Sequence, residues 1–465
     1  MPAILLSLSL ITLSAFGLWP QEANIGAGVD LGLTVEQSTI VDMNPNDGVT
    51  ASNTSTLGLF WILEFGNWAI NLRASVGADF PIYPGRDISP LGLDFGLSSL
   101  SAGASFPLAD DPSFQTLNLQ FGRISVADNL GTYLGQTVDG LSLAVTGNSA
   151  DLGVYLGYTG LLFKNETAFS FTPSDTADDS NDANFFAPPR ILAGMSSVFR
   201  NDSQSFVFGI DGILQADLRE LVSSERIIPS GATSTTGSQD GGLFTNFALT
   251  PTFRFTFGPQ VFWDTQGVIQ TGTTQVKETS YQTQAILAGS ALTRLLWFPS
   301  DLHRILFQVQ WSSGDGTYRD IFEEGATLTE ARDLINLYKP LNAPSTGTLF
   351  APEPGNLTWA TIQWSGKPFT RFPGVFGQGT SMNAGVYTFF RNTPGPISDG
   401  RASASVTNPY MGTEITLGLN LRPFSDLGLG INGGIYLPPA FSGGAMEGNA
   451  SFIEGKISGF LSLRI

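Results

Sequence analysis

The chain of 465 residues contains no cysteine. That excludes a disulfide framework and a thiolate metal site. Histidine occurs once, at His303, beside the turn-forming Pro299-Ser300-Asp301. A lone histidine at a strand end, with no thiol in the chain, builds no nucleophile–base constellation. His303 reads as a structural or interfacial residue, and neither an enzyme activity nor a cofactor is expected. Charge is scarce as well: 13% of residues are charged, against about 25% in ordinary soluble domains. Positive charge is the scarcer sign, with 22 Lys and Arg against 40 Asp and Glu and a net charge of −18. A nucleic-acid binder needs a basic face, so that class is excluded. Long apolar runs are missing beyond the amino terminus. No later segment reaches the roughly 18 apolar residues that a spanning helix requires. If this chain crosses a membrane, it crosses as strands.

The amino terminus has no Lys or Arg, but residues 3–13 form an apolar run. Ala15-Phe16-Gly17 follows as a small-x-small cleavage site. This reads as a signal peptide over 1–17, leaving 18–465 as one domain.

Glycine and phenylalanine are abundant, at 54 and 35 residues. The stretch 244–270 shows how they are used. Phe247, Leu249, Phe253, Phe255 and Phe257 alternate with Asn246, Thr250, Thr252, Arg254 and Thr256. Gly258-Pro259 punctuates, and alternation resumes through Val261, Trp263 and Ile269. Strand side chains alternate between faces, so this is a hairpin with one greasy and one wet face. Pro251 interrupts its first arm and calls for a local bulge.

Much of the chain repeats that unit. Alternating segments fall at 24–36, 54–65, 68–79, 91–106, 114–126, 137–146, 151–158, 190–200, 203–219, 242–257 and 261–276. They continue at 281–297, 302–312, 356–367, 379–391, 411–422, 427–436 and 451–465. Residues 37–53 read as a polar loop, and 161–172 read as part of a long acidic loop. The connections are expected to alternate strictly between short and long. The fold class is therefore all-β: an antiparallel up-and-down transmembrane β-barrel of about eighteen strands, with short periplasmic turns and long outer loops. A strand of about 12 residues, tilted near 40°, rises roughly 30 Å and spans the apolar band. Trp68, Phe257, Trp297, Phe298, Phe372 and Phe424 lie beside short turns. Tyr158, Tyr281, Tyr387, Phe389 and Phe390 lie toward the other ends, so both sets are expected in interfacial girdles. The last strand puts Ile453, Ile457, Leu461, Leu463 and Ile465 on one face. It resembles the signal read by the outer-membrane assembly machinery, although most such strands end in Phe or Trp.

With these features the chain resembles large single-chain porins, the eighteen-strand alginate-export and substrate-specific porin families. Local echoes are Gly122-Arg123 with Asp128, Asp139-Gly140-Leu141, and Ser313-Gly314-Asp315-Gly316 at a strand top. The resemblance implies an outer-membrane channel for passive or facilitated diffusion. Its partners would be the lipid bilayer and a small hydrophilic solute.

Charges within strands should face water, because a lipid-facing charge costs about 2–4 kcal/mol at the midplane. Arg73, Arg123, Arg254 and Arg304 are the candidate solute contacts, since a guanidinium presents a fork to carboxylate or phosphate. Asp94, Asp211, Asp264 and Glu414 complete the candidate lumen set. Arg123 needs a bulge at Gly122 to point inward. In the loop 313–355, Thr327 and Glu330 fit a capping box, and 329–338 has helical spacing through Leu334, Ile335 and Tyr338. This loop is the candidate constriction. Asp175, Asp178, Asp179 and Asp182 lack the spacing of a calcium loop and read as solvated. A surface adhesin barrel and a transporter of hydrophobic compounds are the alternatives. The second is disfavoured because alternation starts near Asn24 and leaves no room for an amino-terminal hatch.

Overall fold

In the computed structural model, residues 27–464 are described apart from 45–47, 83–91, 109–113, 165–183, 220–243, 278–280, 315–333, 343–345, 395–396, 398–406 and 440–452. Short breaks also fall at 373, 375–376, 378 and 425. The strands are β1 (Ala27–Asn44), β2 (Gly48–Phe65), β3 (Trp68–Ile82), β4 (Gly92–Pro107), β5 (Thr116–Ala127) and β6 (Gly135–Thr146). Then come β7 (Ala150–Tyr158), β8 (Arg190–Arg200), β9 (Phe206–Asp217), β10 (Phe244–Phe257), β11 (Val261–Lys277), β12 (Tyr281–Ser300) and β13 (His303–Ser312). After the two-residue β14 (Leu334–Ile335) follow β15 (Leu357–Gly366), β16 (Thr380–Arg391), β17 (Tyr410–Phe424), β18 (Leu427–Leu437) and β19 (Glu454–Arg464).

Every strand except β14 pairs antiparallel with its neighbours in sequence, and β13 pairs directly with β15. The sheet closes where β1 pairs with β19, from Thr34↔Arg464 to Met43↔Gly455. The described strands thus form an eighteen-strand closed barrel wall, with β14 outside it. Closure leaves no edge, which is what a sheet in lipid requires.

Alternation decides the faces. On β9 and β10, Leu214 and Phe247 are exposed, whereas Asp211, Gln215, Asn246, Thr250 and Thr252 are buried. The same pattern runs through β17 and β18, where Ile415, Leu417, Ile431 and Ile435 are exposed. Large apolar side chains face outward and polar ones face the lumen, the reverse of a soluble sheet. The interior core is made where chain folds into the lumen. Ile124, Val126, Val138, Leu192, Ile213, Ala248, Val268 and Ile286 of the wall pack around Tyr133, Leu134, Tyr338 and Leu341.

Several local expectations are corrected. Residues 37–44 and 48–53 are strand rather than loop, because β1 and β2 pair continuously from Ala27↔Phe65 to Asn44↔Gly48. The ladder satisfies the backbone groups of both arms along the whole hairpin. β11 and β12 likewise pair up to Lys277↔Tyr281. Strict alternation of long and short connections therefore fails at these two hairpins. Pro251 needs no bulge. The β10–β11 register is unbroken across it, and Gly267 opposite leaves room for the ring, 3.8 Å from the position a Cβ would take.

Of the aromatics beside short turns, Trp68, Phe257, Trp297, Phe372 and Phe424 are exposed as a girdle should be. Phe298 instead shares the inward phase and meets Phe262 edge-on at 5.8 Å. Tyr387 and Phe389 also face inward and pack at the lumen cluster of Phe350 and Tyr436. Only Phe390 of that trio stays exposed. His303 stacks on Trp364 at 5.8 Å, at the short-turn end of the wall.

The two faces give a direct test. Leu417→Lys, on the outer face at mid-strand, should destabilise the inserted protein by about 2–4 kcal/mol. Asn432→Lys, on the lumen phase, should change little. Denaturant unfolding in lipid vesicles measures both, and equal losses would contradict the assignment of faces.

Candidate functional site

The lumen carries its charge on neighbouring strands. Arg254, Asp264 and Arg294 sit in register on β10, β11 and β12, near the short-turn end. Asp264 Oδ1 accepts a hydrogen bond from Arg254 Nε at 2.6 Å, and its Oδ2 accepts one from Arg294 Nε at 2.7 Å. The carboxylate is 8% exposed, while the Arg254 and Arg294 side chains keep 43% and 29% of their surface. One buried carboxylate between two guanidiniums leaves the row with excess positive charge. Arg304, on the same lumen phase of β13, is exposed and donates from Nε to Ser365 Oγ at 3.2 Å. Charge-assisted pairs of this kind hold Arg planes fixed and partly wet.

Above that row, chain enters the lumen from two directions. The first is 128–134, between β5 and β6. Asp128 Oδ1 accepts from the backbone N–H groups of Tyr133 and Leu134, at 3.3 and 3.0 Å. Its other oxygen accepts from Gln266 on β11. Asn129 N–H reaches Asp211 Oδ2 at 3.1 Å, and the same oxygen accepts from Thr250 at 3.0 Å. Burial pushes the Asp128 carboxyl above its ordinary value, against the lowering effect of its hydrogen bonds with Leu134 and Gln266. Burial likewise raises the phenols of Tyr133 and Tyr338, so both stay protonated.

The second is the connection between β13 and β15. Residues 336–342 lie beside 128–134: Leu134 and Leu341 form a parallel bridge, and Asn342 Nδ2 donates to Gly131 O at 2.6 Å. Gln270 of β11 holds Lys339 through both its backbone groups, at 2.9 and 3.1 Å. Tyr338 is fully buried, 6.2 Å from the Tyr133 ring. Farther along, Glu414 of β17 accepts three backbone hydrogen bonds, from Thr348 at 2.8 Å, Leu349 at 3.1 Å and Phe350 at 3.0 Å. A Cβ on Gly347 would lie 2.7 Å from that carboxylate, so glycine is what lets the backbone come so close.

The expected site residues divide accordingly. Arg254, Asp264 and Arg304 lie in the lumen. Asp211 and Glu414 also face inward, but they are fully buried anchors of infolded chain rather than free solute contacts. Arg123 is a correction. It shares the phase of Phe121 and of Leu100 across the ladder, both exposed outward, and Ile124 is the residue that turns inward. No bulge occurs at Gly122, where the β5–β6 register is continuous. Arg73 and Asp94 lie on β3 and β4, and their side chains fall outside the described residues, as do Thr327 and Glu330. Helical spacing over 334–338 is a second correction. β13 covers β12 only from Ser290 onward, which leaves the edge of β12 open, and β14 fills it in parallel, Ala285↔Leu334 and Ile286↔Ile335. An open edge of N–H and C=O groups outweighs a helical repeat of this length.

Arg294 and Asp128 were not expected at the site. Arg294 follows a run of inward apolar residues, Ile286 and Leu292 among them, which blurs the wet face of β12. Asp128 sits in a segment that reads as a plain outer loop.

No family model matches the chain, and no curated protein does. Solved structures do. OccK8 (OprE) of Pseudomonas aeruginosa superposes with a TM-score of 0.53 at 11% identity, over 94% of this chain and 98% of that one. The fold is porin-like. OccAB4 of Acinetobacter baumannii matches at 0.52 and 11% identity, over 94% and 98% of the two chains. OccAB1 of the same organism matches at 0.51 and 10%, over 94% and 96%. At such identities the likeness is one of fold, and it agrees with the eighteen-strand porin resemblance of the sequence.

Glu414→Ala would strand three N–H donors, of which the buried one at Phe350 costs about 1–3 kcal/mol when unpaired. Hydrogen exchange of the peptide covering 346–352 should accelerate and the unfolding midpoint should fall. Unchanged exchange would mean that Glu414 does not hold the segment.

Proposed function

We propose that the protein is an outer-membrane channel through which small hydrophilic solutes diffuse, narrowed by the β13–β15 connection and by residues 128–134. The observation that carries this reading is the closed wall with an apolar outside and a charged inside. A sheet so arranged is stable only with lipid around it and water within. The proposal includes a cleaved leader over 1–17, a single barrel domain over 18–465, and insertion by the assembly machinery of a diderm outer membrane. It includes no catalytic step and no cofactor. Arg254, Arg294 and Arg304 outweigh Asp264 in the row across β10–β13, so the field at that row favours anions. Residues 336–342, packed with 128–134 inside the wall, would form that narrowing.

Planar-bilayer recording of the refolded protein in asymmetric salt is the test. Discrete open steps are expected, with a reversal potential on the anion side. Asp264→Asn should move that potential farther toward anions. Tyr338→Ala should enlarge the step, and an unchanged step would remove 336–342 from the constriction. A folded, inserted protein that never conducts would overturn the channel reading.

A further inference from the structure

The ion pair Arg123–Asp139 stands on the wrong face of the wall. By register, Arg123 pairs with Leu100 and Asp139, and its flanking residues on that phase are exposed. Yet its side chain is only 7% exposed. Its guanidinium makes four hydrogen bonds: Nε and Nη2 donate to the two Asp139 oxygens at 3.0 and 3.1 Å, Nη1 donates to Leu97 O at 2.7 Å, and Nη2 also donates to Leu161 O at 2.9 Å. The last partner belongs to the chain that leaves β7.

That chain continues the β7–β8 hairpin beyond Tyr158↔Ile191 and reaches β5 at Arg123. Two short arms, 159–164 and 184–189, run beside one another. Ala187 N–H bonds Leu162 O at 2.9 Å, and Lys164 N–H bonds Phe185 O at 3.0 Å. Phe163 and Phe186 stack at 6.1 Å with planes 8° apart. Thr159 ties the base, donating to Pro188 O at 2.6 Å and accepting from Arg190 N–H at 3.1 Å. Leu162 and Ala187 turn inward and are buried. Leu161, Phe185 and Phe186 turn away from the protein with 58%, 69% and 55% of their surface exposed.

Three large apolar side chains held outward by a hydrogen-bonded scaffold are costly in water, at about 1.5–3 kcal/mol each. Leu161 is tied to Arg123, whose outward phase continues through the exposed Phe121 on the lipid-facing surface of the barrel. We propose that 159–164 and 184–189 form a flap lying in the membrane leaflet at the long-connection end of the barrel. Its outer side meets lipid acyl chains, and its inner side seals the Arg123–Asp139 pair from them. The proposal rests on the membrane reading above. The flap continues the apolar belt upward over strands whose own side chains have turned ionic at that height, so the belt has no polar gap in this sector.

Because the chain has no cysteine, one nitroxide can be placed at will. Phe185→Cys, Val154→Cys (mid-strand, outward) and Ser203→Cys (short turn) are labelled singly in proteoliposomes. Collision with dissolved oxygen and with an aqueous nickel chelate is then measured by electron paramagnetic resonance. The oxygen-to-nickel ratio at 185 should be raised severalfold over 203 and lie below that at 154. A lipid-like ratio at 154 with a water-like one at 185 would overturn the flap alone. Dipolar broadening between labels at 185 would overturn it too, by giving the surface to a second copy. A water-like ratio at 154 would sink the membrane reading beneath it.

Discussion

Everything in this molecule depends on the pairing of β1 with β19. A peptide N–H or C=O left without a partner in hydrocarbon costs several kcal/mol, and a sheet of strands has an edge at each end unless it closes. Ten residue pairs between Thr34↔Arg464 and Met43↔Gly455 remove both edges at once. Once the ring is shut, face is the only freedom left to a side chain. Phenylalanine, leucine and isoleucine take the outside, and threonine, glutamine and arginine take the inside.

Closure creates a second problem, a lumen wide enough to hold folded chain. Here the space is filled from the wall inward by hydrogen bonds rather than by a hydrophobic plug alone. Asp211, Gln266, Gln270 and Glu414 each grip backbone N–H groups or polar side chains of an incoming segment. Apolar contact follows where the wall offers it, around Tyr133 and Tyr338 and around Phe350. Nearer the short turns, two arginines of the wall share one buried carboxylate. The anchors are buried and hold structure, whereas Arg254 and Arg294 keep part of their surface exposed.

The wall was legible in the sequence because alternation with period two is a direct image of a two-faced strand. Strand number and order, the exposed aromatic row at Trp68, Phe257 and Trp297, and the inward Arg254, Asp264 and Arg304 all follow from it. Legibility failed where the second solvent disappears. Residues 37–44 lack a strict apolar–polar alternation, with Ile40 and Val41 adjacent, so their pairing left no trace in the pattern. Tyr387 and Phe389 are aromatic because they meet infolded chain, a partner that no local pattern announces. Arg123 was misassigned because its outward position is lined by a remote segment, and Leu334 because an open strand edge elsewhere decided its fate. Arg294 could have been found from its register with Asp264; Asp128 could not.

β14 and Glu414 also have a mechanical meaning. The segment that begins on β12 at Leu334 ends its run on β17 at Phe350, and 342 meets 131 on the way to β5 and β6. A cylinder of strands resists stretching along its ladders but flattens easily, since bending only tilts neighbouring strands. A tie strung between separated points of the circumference opposes that flattening. That chain is therefore also a cross-brace, and removing it would make the ring around it softer.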